Sequence, residues 1–182
     1  ICACLVGSEM CIRDRYQLID ISHNGYDFMD DPMFHRRRVV RLPDDIYVIE
    51  DRVTGICRED HDIRLYYNFA FGHLDGENGK FDYTSQKGRG YTMTVQADKK
   101  LDFEILEGSE DPIGGWISYG YAWRKPIPQL IAKHSGKAPI HFITVLAPEK
   151  TKAETAINGD AAMVTLAGGK VLTLTENAVE LH

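Results

Sequence analysis

Two short blocks hold most of the residues able to do chemistry. His23-Asn-Gly-Tyr26 gathers polar groups around Gly25, which is free to take the positive φ of a turn. His35-Arg36-Arg37-Arg38 follows nine residues after Tyr26. If this block is extended, His35 and Arg37 share one face while Arg36 and Arg38 share the other. A cationic strand of that kind suits the neutralisation of carboxylate or sulfate groups. The competing reading is that the arginines pair with some of the 27 acidic side chains on a solvated face, where each pair contributes little.

A third block, Trp116-Ile-Ser-Tyr119-Gly-Tyr121-Ala-Trp123-Arg124, is aromatic. Trp116, Tyr119 and Tyr121 suit a platform for sugar rings, because apolar sugar faces pack on Trp and Tyr while the polar tips reach hydroxyls. The same rings would equally serve to fill a core. The seven histidines (His23, His35, His61, His73, His134, His141 and His182) form no H-x-H or H-E-x-x-H pair. A self-contained metal site therefore has little support, and a lone histidine in a β protein is more often a hydrogen-bonding structural residue. Cys2, Cys4 and Cys11 lie within the first fifteen residues and only Cys57 beyond them. That spacing matches neither a zinc ribbon nor a disulfide framework. No Ser/His/Asp order or nucleophile elbow is present, and Gly88-x-Gly90 is too short a signal for a phosphate loop.

The elements that must carry these blocks are strands. From Tyr16 onward the dominant period is two. Ile63, Leu65, Tyr67, Phe69 and Phe71 alternate with Asp62, Arg64, Tyr66 and Asn68, as in a half-buried antiparallel strand. Tyr91, Met93, Val95 and Ala97 alternate with polar residues in the same way, as do Leu101, Phe103 and Ile105. Val39–Leu42, Ile46–Ile49, Trp116–Tyr121, Gln129–Lys133 and Ile140–Leu146 are further strands, rich in β-branched and aromatic residues. Turn chemistry separates them, at Pro43–Asp45, Thr54-Gly55, Asp75–Gly79, Gly88–Gly90, Asp111-Pro112, Gly114-Gly115 and Ser135-Gly136. No stretch sustains a 3.6-residue period. The expectation is an all-β, antiparallel β-sandwich of the supersandwich kind with very little helix.

Residues 16–150 form the sandwich in this reading. Residues 151–182, with strands at Ala162–Leu166 and Lys170–Thr175 around Gly168-Gly169, are either its terminal strands or a small β appendage. Residues 1–15 stand apart. The chain opens at Ile1, and the stretch Cys4–Arg15 resembles translated sequencing-adapter DNA of the kind found at the ends of metagenomic reading frames. A signal-peptide remnant is the competing reading, but Glu9, Arg13, Asp14 and Arg15 stand where a small-residue cleavage site belongs. The segment is expected to be a non-native leader and the remainder a fragment.

A formal net charge of −6 argues against non-specific nucleic-acid binding, which needs a basic footprint. It does not oppose an acidic ligand, since local charge governs a cleft. No apolar run reaches the length of a membrane span.

Three blocks in order resemble the heparinase II/III-like family of polysaccharide lyases. They are His23–Tyr26 with Pro32-Met-Phe-His35-Arg-Arg-Arg-Val39; Asp44-Asp-Ile-Tyr-Val-Ile-Glu-Asp51-Arg52-Val53 and the strand leading to Phe69–Gly72; and Gly115–Tyr121 with Pro126 and Pro128, closed by Pro139–Leu146. The resemblance covers roughly residues 16–148. It implies the β-sandwich part of an enzyme that cleaves uronic-acid glycans, alginate or heparin-like, by β-elimination. The resemblance places the usual base and acid in an N-terminal α/α-toroid outside this sequence, and the zinc ligands on strands before His23. It therefore implies no catalytic residue, no metal ligand and no cofactor in this fragment. What it implies here is a wall of the substrate cleft near His23, Tyr26, His35 and Arg36. The implied partners are an acidic polysaccharide and the toroid of the same chain, and the implied location is periplasmic or secreted. A non-catalytic carbohydrate-binding or structural sandwich is the alternative.

Overall fold

The computed structural model describes residues 5–13, 15–56 and 58–182. The side chains of Cys2, Cys4, Cys11 and Cys57 lie outside that description, as does much of the leader, of which only the strand path of 5–13 is described. In chain order the strands are β1 (Leu5–Arg13), β2 (Tyr16–Tyr26), β3 (Met33–Leu42), β4 (Ile46–Gly55), β5 (His61–Asn68), β6 (Gly72–Glu77), β7 (Lys80–Ser85), β8 (Gly90–Ala97) and β9 (Asp102–Glu107). They continue as β10 (Ser109–Glu110), β11 (Ile113–Gly114), β12 (Trp116–Gly120), β13 (Trp123–Pro126), β14 (Pro128–Gly136), β15 (Ile140–Pro148), β16 (Ala153–Asn158), β17 (Ala161–Leu166), β18 (Val171–Leu174) and β19 (Val179–Leu181). A single 3-10 turn at Pro43–Asp45 is the only helical element among the described residues. The fold is all-β, as the period-two pattern requires.

Every strand pair is antiparallel, and the strands form three main sheets. An eight-stranded sheet runs β1-β2-β3-β4-β15-β8-β7-β6, a three-stranded sheet runs β5-β14-β9, and a four-stranded meander runs β16-β17-β18-β19. Strand β15 shows how they stack. Its sequence Ile-His-Phe-Ile-Thr-Val-Leu is apolar on both faces because both faces are covered. Ile140 and Phe142 join a core with Ile63, Leu65, Leu130 and Ala132 of the three-stranded sheet. Ile143, Val145 and Ala147 point the other way, into a core with Ala162, Val164, Leu172 and Leu174 of the meander. The large sheet is thus a middle layer between two smaller ones. Each fully buried side chain of this size contributes about 1.5–3 kcal/mol.

Residues 153–181 accordingly make a sheet of their own rather than extra strands in another sheet. The segment Asp75–Gly79, expected as a turn, is mostly strand: β6 runs to Glu77 and the turn shrinks to Asn78-Gly79. Both turn residues have positive φ, 53° and 81°, the conformation whose twist suits a two-residue hairpin. Ile63 and Leu65 are buried as the alternation predicts, whereas Ile105 remains 37% exposed near the edge of its sheet. The three-stranded sheet packs on residues of β4, β15, β8, β7 and β6 and on Met33 at the start of β3, and a cleft remains between β3 and β5. That opening is where the site sits.

Candidate functional site

Strand β3 separates its charges by parity. His35 and Arg37 project to the side facing β5, and both reach Asp51 of β4. The Asp51 carboxylate is fully buried. It accepts from His35 Nε2 at 2.6 Å and from Arg37 through Nε at 2.7 Å and Nη2 at 3.1 Å. Arg37 and Asp51 are register partners across β3 and β4, which gives this two-pronged ion pair its geometry. Below it Tyr67, from β5, shares a 2.7 Å hydrogen bond with Thr144 of β15. Burial, then the Asp51 charge, push the Tyr67 phenol well above its ordinary value, so it stays neutral.

His23 and His35 are also register partners, across β2 and β3. The Gly25 amide donates to His23 Nδ1 at 3.1 Å, so that nitrogen is the acceptor and His23 Nε2 carries the proton. His23 Nε2 lies 3.2 Å from His35 Nδ1 and donates to it, which leaves His35 Nε2 to donate to Asp51. The chain of donors fixes both tautomers, and every ring nitrogen of the pair is engaged. Burial, then the neighbouring His35 ring, hold His23 below its ordinary value, in keeping with a neutral imidazole. Tyr26 packs on His23 with ring centroids 5.5 Å apart.

Arg36 and Arg38 project to the opposite face. Arg36 grips Asp20 at 2.9 and 2.5 Å and donates to the Glu176 carbonyl at 2.7 Å. It borders a smaller pocket of about 280 Å³ with Ser22, Phe34 and Thr54. Arg38 is buried and pairs with the equally buried Glu50, which also accepts from His141 Nε2 at 2.7 Å and from Arg52 Nε at 3.1 Å. Burial alone would raise the Glu50 carboxyl, but the His141 ring and Arg38 outweigh it and hold it at about 2. All three arginines are therefore paired with acids; Arg38 is fully buried, while Arg36 and Arg37 are partly exposed.

His35, Arg37 and Tyr26 line a cleft of about 670 Å³. Its other wall is β5, the edge strand of the three-stranded sheet, which contributes His61, Arg64 and Tyr66. Of the sequence-derived candidates, Tyr26 and His35 meet there, His23 supports them from behind, and Arg36 lies on the far face. His61, Arg64 and Tyr66 were not singled out from sequence. Only their place on an alternating strand was visible, because which strand faces β3 depends on sheet packing. Among the described residues no group of three His, Cys, Asp or Glu side chains could hold a metal ion. His23 and His35, with all their ring nitrogens hydrogen-bonded, do not fit one.

The aromatic block forms a separate hairpin, β12–β13. Tyr119 is 74% exposed and Tyr121 fully so, which removes both from the core. Tyr119 and Trp123 lie with ring centroids 5.4 Å apart. Trp116 is instead held in place, its Nε1 donating to the Ser109 carbonyl at 2.9 Å with the Arg124 guanidinium 4.1 Å above its ring.

No family model and no curated protein sequence matches the chain. Solved structures do. A heparinase III superposes with a TM-score of 0.71 at 16% identity over 92% of this chain and 27% of its own length. The heparan sulfate lyase of Pedobacter heparinus gives 0.71 at 12% identity over 99% of this chain and 28% of its own. A further heparinase III structure gives 0.67 at 14%, covering 99% and 27%. The chain spans little more than a quarter of the length of these proteins. At such identities the likeness is one of fold, and the three-sheet β architecture described above is the one these heparinase structures contain.

Proposed function

We propose that this chain is the β-sheet portion of a polysaccharide lyase acting on uronic-acid glycans by β-elimination, and that its cleft forms one wall of the substrate site. The observation that carries the reading is the cleft itself. An otherwise acidic chain presents Arg37, Arg64, His35 and His61 with two tyrosines and the single acid Asp62, paired to Arg64, around one open channel, a lining suited to carboxylate or sulfate groups beside sugar rings. The heparinase-like fold supports the same class of ligand. Arg37 enters the cleft already oriented by Asp51 through Nε and Nη2, and among the described residues no hydrogen bond occupies Nη1.

Phe28, Met29 and Ile56 stand 73%, 38% and 57% exposed around the β2–β3 loop and the end of β4, with Met29 lining the cleft itself. We assign this apolar rim to the α/α-toroid that would supply the acid and base. Localisation outside the cytoplasm follows from the same reading; among the described residues no helix is long and apolar enough to cross a membrane.

Calorimetric titration with an acidic hexuronate oligosaccharide and a neutral one of equal length tests the proposal. The acidic chain is expected to bind and the neutral one not, with affinity falling as salt rises. Arg64→Ala removes a half-exposed cation without touching the core and is expected to weaken acidic binding about tenfold at unchanged stability. Equal binding of both oligosaccharides would overturn the acidic-cleft reading. The exposed Tyr119, Tyr121 and Trp123 favour a second reading, a glycan-binding module whose contact surface is the hairpin.

A further inference from the structure

The cleft holds a second histidine whose circumstances differ from those of His35. His61, at the start of β5, is 12% exposed and donates from Nε2 to Asp31 Oδ2 at 2.9 Å. Asp31 lies in the β2–β3 loop, 5% exposed, and also accepts from the Glu59 amide at 3.0 Å. Those two hydrogen bonds, the backbone one first, hold its carboxyl at about 2. Its other oxygen, Oδ1, is buried without a partner among the described residues. Asp31 is thus a carboxylate fixed by backbone hydrogen bonds, and the His61 ring is the side chain it supports. With Nε2 committed as donor, any proton that His61 gains must sit on Nδ1, and no hydrogen bond among the described residues occupies that atom. This is the arrangement of a carboxylate-oriented histidine with one free nitrogen.

Building on the acidic-glycan reading of the cleft, we infer that His61 is the group there that takes up a proton from solvent when the ligand binds, and that Asp31 is its positioning residue. When an anionic sugar enters, Nδ1 takes up a proton from solvent and donates a charge-assisted hydrogen bond to the ligand's carboxylate or sulfate. Asp31 balances the imidazolium. The other groups around the ring cannot substitute for it. His35 has both nitrogens engaged by His23 and Asp51, Arg37 and Arg64 do not titrate, and Asp62 is paired with Arg64, Lys133 and Ser135. Tyr26 supplies a ring and a phenol, not a cation near neutrality.

The test is titration calorimetry of the 182-residue chain with a hexuronate tetrasaccharide, run between pH 5.5 and 8 in buffers of different ionisation enthalpy, conditions chosen to span histidine titration. The wild-type chain is expected to take up protons on binding. His61→Gln keeps an N–H donor toward Asp31 and is expected to abolish the uptake, weaken binding about tenfold at the acidic end, and leave melting unchanged. Asp31→Asn is expected to reduce the uptake as well. If His61→Gln lowers the melting temperature, ring-proton resonances of the wild-type decide instead: the His61 titration midpoint should rise when the tetrasaccharide is added. Proton uptake retained in His61→Gln, or an unmoved His61 midpoint in saturated wild-type, overturns the inference while the cleft reading stands. Absence of any binding by the wild-type chain sinks the cleft reading itself.

Discussion

At the scale of single residues, the site depends on charges that the protein has removed from water and then matched. Glu50 is the clearest case, since Arg38, Arg52 and His141 converge on it while it is 1% exposed. Its carboxyl is held at about 2 against an ordinary 4.5. A depressed folded-state value means that the stabilisation is present above pH 4.5 and is lost as pH falls toward 2. Glu50→Gln leaves Arg38 buried without a counter-charge and is expected to cost about 3–5 kcal/mol at neutral pH. Urea unfolding across pH should show that gap narrowing only below pH 4.5. A gap of equal size at pH 3 would mean that the carboxylate charge is not what holds the cluster. The parity of His35 and Arg37 against Arg36 and Arg38 was legible in the sequence, because strand geometry dictates it. Their partners were not. Asp51 and Glu50 were visible as acidic residues, but which strand β3 pairs with, and in which register, is settled only by the packed sheet.

At the scale of elements, the strands were readable wherever one face is wet and the other dry. The β5 alternation predicted the burial of Ile63 and Leu65. The reading weakened where side chains do not report the environment. Residues 75–79 carry turn-forming types, yet Asp75 and Gly76 sit in a strand because β6 pairs with β7 up to Glu77. The aromatic block gave no period that separates core from surface, and the structure raises it as the β12–β13 hairpin. The tightness of the β6–β7 turn has a consequence for stability. Gly79 has φ of 81°, and a Cβ there would lie 2.4 Å from the Val95 carbonyl oxygen of β8. Gly79→Ala is expected to destabilise by about 1–3 kcal/mol through backbone strain and displacement of that neighbour. Denaturant midpoints would measure it, and a neutral result would show that the hairpin tip yields freely.

At the scale of the whole molecule, three layers share one middle sheet, so each face of β15 contributes to a different core. The meander is tied down by polar bonds as well as apolar contact. Arg36 donates to the Glu176 carbonyl, Arg38 to those of Thr175 and Ala178, and Arg52 to that of Asp160. One face of β3 thereby anchors the C-terminal sheet while the other lines the cleft. The resemblance in the three sequence blocks pointed to this fold, and the heparinase structures bear it out at 12–16% identity. It reached β5 through the strand leading to Phe69–Gly72 but gave no role to His61 or Arg64, because only sheet packing brings that strand opposite β3. On the proposed function, the cleft and not the aromatic hairpin meets an acidic glycan. The most direct measurement is residue-resolved chemical-shift mapping of the chain titrated with a hexuronate oligosaccharide. Shifts centred on Tyr26, His35, His61 and Tyr66 are the predicted result. Shifts confined to Tyr119, Tyr121 and Trp123 would contradict it and make the hairpin the glycan-binding surface.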